Sequence, residues 1–165
     1  MAAGPGRQAR WRRGAAAGDA GAGIGVGRPG REVAAYAADP GNATAWYESI
    51  ESIEWKTERP LRVGSRVAFV ALFLGRRLAY TYELTEFVPG ERLVMRTRDG
   101  PFPMETTYTW EDVRDGSTRM TLRNRGEPTG FSKVAAPVMA KAMRRANRKD
   151  VRRLKEILET RPPAR

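Results

Sequence analysis

Residues Gly64–Thr97 read GSRVAFVALFLGRRLAYTYELTEFVPGERLVMRT, and this stretch decides the fold. Arg66–Leu74 and Arg77–Phe87 are rich in β-branched and aromatic residues and meet at Gly75-Arg76. In the second run Leu78, Tyr80, Tyr82 and Leu84 alternate with Thr81 and Glu83, the period of a half-buried strand. Val88-Pro89-Gly90-Glu91 follows, with Pro and Gly where a β-turn takes them. Short turns between successive strands make an antiparallel meander.

The same period extends both ways. Downstream come Arg92–Arg98, then Pro103–Val113 and Ser117–Arg125 flanking Arg114-Asp115-Gly116, whose Asp-Gly is a hairpin signal. Upstream lies Ser52–Thr57, before a break at Pro60 and Gly64. Earlier still, a short apolar segment Ile24–Val26 precedes two short helices, Glu32–Ala38 and Asn42–Tyr47, separated by Asp39-Pro40-Gly41. After Gly126–Gly130, Ser132–Glu159 reads as one long helix, with Pro137 near its start where Pro does least harm. Val134, Val138, Ala142, Val151, Leu154 and Leu158 form its apolar stripe. Asp150 and Glu156 read as helical pairing partners for the basic residues around them.

A chain of 165 residues suits one domain. It has no Cys and no His, which removes disulfides, thiolate nucleophiles, the commonest metal ligand and the commonest general base near neutral pH. No metal or cofactor is expected. The net charge of +11 is confined to the ends: residues 24–130 balance, residues 1–23 carry +3 and residues 131–165 carry +8. No stretch approaches the roughly 20 apolar residues of a membrane span. The basic N-terminus lacks an apolar secretory core, so a cytoplasmic protein is expected.

One strand, two short helices, a six-strand meander and a long helix is the order of the helix-grip fold. Gly27–Tyr47 resembles the opening of the START-like (SRPBCC) superfamily, with Ala38-Asp39-Pro40 and Trp46 filling that opening's turn and Trp positions. Gly64–Thr97 and Gly100–Glu111 resemble its polyketide cyclase/dehydrase-like branch, and the similarity spans about residues 24–159. The resemblance implies an α+β fold: a curved antiparallel sheet of six to seven strands wrapped around the long C-terminal helix, enclosing a cavity. The expected domain is 23–160. Residues 1–22, rich in Gly, Ala and Arg, read as a disordered basic tail or an over-extended translation start, and 161–165 as a disordered end. The place of the first strand, Ala20–Val26, is mostly Gly and Ala, so a short or poorly formed edge is expected.

Strand parity assigns the inward faces. They are Val67, Phe69, Ala71 and Phe73; Leu78, Tyr80, Tyr82 and Leu84; Leu93, Met95 and Thr97; Met104, Thr106, Tyr108 and Trp110; Met120, Leu122 and Asn124. Helix residues Val138, Met139, Ala142 and Met143 would close the space. The candidate ligand-binding set is Trp46, Phe69, Phe73, Tyr80, Tyr82, Met95, Met104, Thr106, Tyr108, Trp110, Asn124, Val138, Met139 and Met143. The same residues would equally fill a core. Trp46 and Tyr47 occupy the place the resemblance gives to the pocket mouth, and a staple of the helix pair onto the sheet accounts for them equally.

Three functions compete. The first is binding of a hydrophobic or amphipathic small molecule, polyketide-, lipid- or isoprenoid-like. The second is a polyketide aromatase or cyclase, which needs a positioned acid or base. Tyr80, Tyr82 and Tyr108 are the inward titratable groups found by parity, no inward carboxylate is identified, and no catalytic residue is assigned. The third is attraction of an anionic membrane surface or an acidic carrier protein to Lys141, Arg144, Arg145, Arg148, Lys149 and Arg152. Nucleic acid is not the expected partner, because the fold is not a nucleic-acid motif.

Overall fold

The computed structural model describes residues 18–126 and 136–162. In chain order these form β1 (Gly18–Val26), α1 (Gly30–Ala38), a 3-10 turn (Pro40–Asn42), α2 (Ala43–Trp46), β2 (Ile50–Trp55), β3 (Arg66–Phe73), β4 (Arg76–Val88), β5 (Arg92–Asp99), β6 (Met104–Val113), β7 (Ser117–Gly126) and α3 (Ala136–Thr160). The strands make one sheet in the order β1-β7-β6-β5-β4-β3-β2. All its pairings are antiparallel. The sheet curls around α3, giving the α+β helix-grip fold.

The register between β4 and β5 shifts twice, with Arg98 the extra residue on β5 at the first shift and Thr85 the extra residue on β4 at the second, and such bulges bend the strand that carries them. The second also explains why both Leu84 and Phe87, three residues apart, pack on the core. The extra residue swaps the parity between them. The core joins Trp46, Val26 and Val33 to Leu93, Met120, Leu122, Leu154 and Leu158.

β1 is longer than its Gly/Ala content suggests. It pairs with β7 over nine residues, from Gly18↔Gly126 to Val26↔Thr118. What holds it is its neighbours rather than strand propensity. Asp19 accepts from Arg123 Nε at 2.8 Å, Asn147 Nδ2 donates to the Ala20 carbonyl at 3.1 Å, and Lys155 Nζ donates to the Gly25 carbonyl at 2.7 Å. The boundary expected at residue 22 therefore moves back to Gly18; the rest of that stretch lies outside the described residues. At the other end Arg161 is placed: its guanidinium lies 4.4 Å from the Tyr36 ring centroid and its carbonyl accepts from Arg28.

Gly30 opens α1 close to β6 and β7: a Cβ there would lie 2.5 Å from Asp112 Oδ1, so the exposed Asp112 side chain would have to turn away. The Thr118 hydroxyl donates to the Arg28 carbonyl at 2.7 Å and anchors the β1–α1 link on β7.

α3 presents Met139, Asn147, Asp150, Val151, Leu154 and Leu158 to the interior. The expected start of this helix, with Val134, lies outside the described residues. Val138 corrects the expected stripe: it is 68% exposed. At 100° per residue the inner face passes through Met139 instead, and Val138 turns to the outer side. Among the described residues no helix is long and apolar enough to cross a membrane.

Candidate functional site

Between the concave sheet and the N-terminal half of α3 lies a cavity of about 140 Å³. Its walls are largely apolar: Phe69, Ala71, Phe73, Leu78, Tyr80, Met95, Phe102, Met104, Met139 and Met143. Phe69 and Tyr80 stack with ring centroids 5.5 Å apart, and Tyr80 meets Tyr82 edge-on at 5.0 Å. Polar groups come from neighbouring positions on β4, β6, β7, α3 and the segment after α2.

Those polar groups form a ladder whose polarity can be worked out. Asn147 Nδ2 donates to the Ala20 carbonyl, which can only accept, so Asn147 Oδ1 must face Asn124 and accept from its Nδ2 at 2.8 Å. Asn124 Oδ1 then accepts from the Thr106 hydroxyl at 2.7 Å. Having given its one proton, Thr106 accepts from the Tyr82 hydroxyl at 2.9 Å. Tyr82 thus keeps only acceptor capacity for anything else in the cavity. One backbone carbonyl on β1 sets the hydrogen-bond character of a tyrosine on β4.

A second polar group stands beside it. The Tyr47 and Tyr108 hydroxyls lie 2.6 Å apart. Only one of them can donate into that contact, so the pair retains one proton for another acceptor. Asp150, 3% exposed, also lines the cavity and accepts from the Glu48 backbone N–H at 3.0 Å. Burial pushes its carboxyl up from 3.8 to about 6, against the lowering effect of the Glu48 N–H. Burial likewise raises Tyr82 to about 12, and it raises Tyr47, Tyr80 and Tyr108 well above their ordinary value. All four phenols are neutral at neutral pH, and Asp150 is the group that titrates there. Among the described residues no three His, Cys, Asp or Glu side chains come together as a metal site.

A family model described as "Polyketide cyclase / dehydrase and lipid transport" matches residues 22–159. The chain belongs to this family. Among solved structures, TTHA0849 from Thermus thermophilus is similar at 19% identity with a TM-score of 0.75, over 87% of this chain and 99% of that one. The Zhui aromatase/cyclase from a Streptomyces species is similar at 14% identity and a TM-score of 0.71, over 86% and 93%. A START superfamily protein from Mycobacterium smegmatis is similar at 10% identity and a TM-score of 0.71, over 86% and 97%. Identities this low establish the helix-grip fold and nothing finer. No curated protein sequence matches the chain.

In this member of the polyketide cyclase / dehydrase and lipid transport family, eleven of the fourteen candidate residues line the cavity: Phe69, Phe73, Tyr80, Tyr82, Met95, Met104, Thr106, Tyr108, Asn124, Met139 and Met143. Three do not. Val138 faces outward, Trp46 is wholly buried in the core, and Trp110 lies under a separate groove beside α1, with Trp55 and Pro60. Parity placed Trp110 on the correct face, but parity does not say how far along the strand the cavity reaches. Sequence reading missed Asn147 and Asp150 as cavity residues, and Asp150 overturns the expectation that no carboxylate points inward. Tyr47, read from the resemblance as a pocket-mouth residue, lines the cavity, and Ser49, Ile50, Arg76, Phe102 and Arg125 do so without having been candidates.

Proposed function

We propose that this protein binds a hydrophobic or amphipathic small molecule, polyketide-, lipid- or isoprenoid-like, in the cavity between sheet and α3. The supporting observation is the division of the lining into an apolar, Met- and aromatic-rich wall and a hydrogen-bonded polar edge. Ligand sites are commonly built this way, with few polar groups fixing orientation. A dry cavity of about 150 Å³ holds a benzene-sized guest, so one ring or one end of a chain fits without rearrangement. Met95, Met104, Met139 and Met143 border the space, and flexible thioether chains let such a wall widen around a larger body.

The reading is tested by native mass spectrometry of protein purified from its own kind of host, followed by organic extraction. A reproducible hydrophobic adduct is expected in the parent and lost in Met143→Trp, whose indole would occupy the space. Parent protein that arrives empty, and stays empty in a broad mixture of lipids and polyketides, refutes it.

Asp150 favours a second reading, an aromatase- or cyclase-type enzyme. A carboxyl at about 6 inside an apolar cavity is partly protonated near neutral pH and can take and return a proton. It would remove a proton next to a substrate carbonyl, while the Tyr47–Tyr108 pair donates its spare proton to the carbonyl oxygen. Activity on a poly-β-keto substrate would then rise with pH through about 6 and vanish in Asp150→Asn. Ligand retention with no turnover at any pH leaves the binding reading alone.

A further inference from the structure

We infer that the outer face of α3, together with the β3–β4 hairpin tip, forms a docking surface for an anionic lipid bilayer. The inference rests on the small-molecule reading above only for its purpose, and the surface itself stands on separate residues.

The outer face of α3 is a single-sign field. Lys141, Arg144, Arg145, Arg148, Lys149 and Arg152 border one shared groove. Lys149 is spent on Glu48 at 2.7 Å. None of the other five meets a carboxylate among the described residues. The span from Lys141 to Arg152 is about 16 Å at 1.5 Å per residue. Unpaired cations on a solvated helix repel one another, so they gain most where an external anionic surface neutralises them together.

Exposed aliphatic side chains flank that field. Val138 lies on the same outer side of α3 as Lys141 and Arg145. Across the cavity, Leu72 and Leu74 at the β3–β4 tip are 49% and 53% exposed. Leu74 sits at φ 49°, a left-handed conformation that favours glycine, and gains no burial in return. The hairpin and the helix both border the cavity, since Phe73 and Arg76 line it with Met139 and Met143. A convex apolar tip needs a matching hollow in a protein partner, whereas the fluid boundary of a bilayer accepts it without one. Apolar insertion beside several cations is how amphipathic surfaces bind anionic lipid.

The test is co-sedimentation with vesicles of phosphatidylcholine containing a quarter phosphatidylglycerol, against vesicles of phosphatidylcholine alone. Binding is expected to the anionic vesicles in low salt, to fall steeply as salt rises, and to be absent from neutral vesicles. Arg145→Glu with Arg148→Glu should lower partitioning about 100-fold, and Leu74→Asp about 10-fold. Both variants should keep any adduct seen by native mass spectrometry, because neither changes the cavity lining. No binding to anionic vesicles in low salt, or binding indifferent to the charge reversal, overturns the proposal. Capture of an acidic carrier protein, lost with the same reversal while vesicles stay unbound, also overturns it and assigns the surface to a protein. Empty protein that still binds anionic vesicles upholds the surface and removes the ligand reading.

Discussion

Asp150→Asn should stabilise the protein by about 2–3 kcal/mol at pH 8 and change it little at pH 4, as read by urea unfolding. The folded carboxyl titrates at about 6 against an ordinary 3.8, so between those values the folded state holds a proton the unfolded state has released. Stability from this group is therefore full below about pH 4. It is lost as pH rises through about 6, and the loss is constant above that. Asn keeps an oxygen for the Glu48 N–H at 3.0 Å and carries no charge to desolvate. The parent's stability should decline from pH 4 to 7 by that amount more than the variant's. A variant less stable than the parent at pH 8 would mean that the ionised form is well solvated, and Asp150 would lose its standing as a buried acid.

The direction of that result bears on function. Mutations that remove a costly buried charge commonly gain stability, and the groups left unrelieved in natural proteins tend to be at sites where activity needs them. A stabilised Asp150→Asn that also stops binding or turning over its ligand would tie the destabilising charge to the cavity's task. Unaltered ligand binding would make Asp150 a structural anchor for Glu48 and the start of β2.

The six-strand meander was legible because each strand carries its own alternation and each turn its own Gly, Pro or Asp-Gly. Tyr80, Tyr82, Thr106, Tyr108 and Asn124 follow from that alternation alone. The inner face of α3 was legible only in part: Met139, Met143, Val151, Leu154 and Leu158 follow from hydrophobicity, but its buried polar members Asn147 and Asp150 do not. With those omitted, Val134, Val138 and Ala142 made a plausible stripe one step of 100° away. A search for polar residues three or four positions from Met143, Val151 and Leu154 would have found both. β1 escaped for another reason. Its Gly and Ala carry almost no pattern, and its place depends on Arg123, Asn147 and Lys155, far away in sequence. Trp46 and Trp110 show a third gap. Their burial was readable, but which compartment of the interior each reached depends on the curl of the sheet.

Asn147→Leu should cost about 2–4 kcal/mol, although Leu has the same branched outline of heavy atoms as Asn and the site is 3% exposed. The Ala20 carbonyl loses a donor, and Asn124 Nδ2 is left buried against a methyl group with no acceptor. The more telling result concerns a residue that Asn147 does not touch. In the parent, the Ala20 carbonyl fixes Asn147, Asn147 fixes Asn124, and Asn124 obliges Thr106 to accept from Tyr82. Without Asn147 the Asn124 amide is free to turn, Thr106 can donate to Tyr82, and the direction of that hydrogen bond is no longer imposed. Tyr82→Phe should therefore cost about 1 kcal/mol in the parent and measurably less in the Asn147→Leu background. A double-mutant cycle in urea should show coupling of about 0.5 kcal/mol or more across two intervening side chains. Additivity within about 0.3 kcal/mol would mean that each bond in the ladder sets its own polarity. Tyr82 would then be free to donate to a ligand as well as to accept from one.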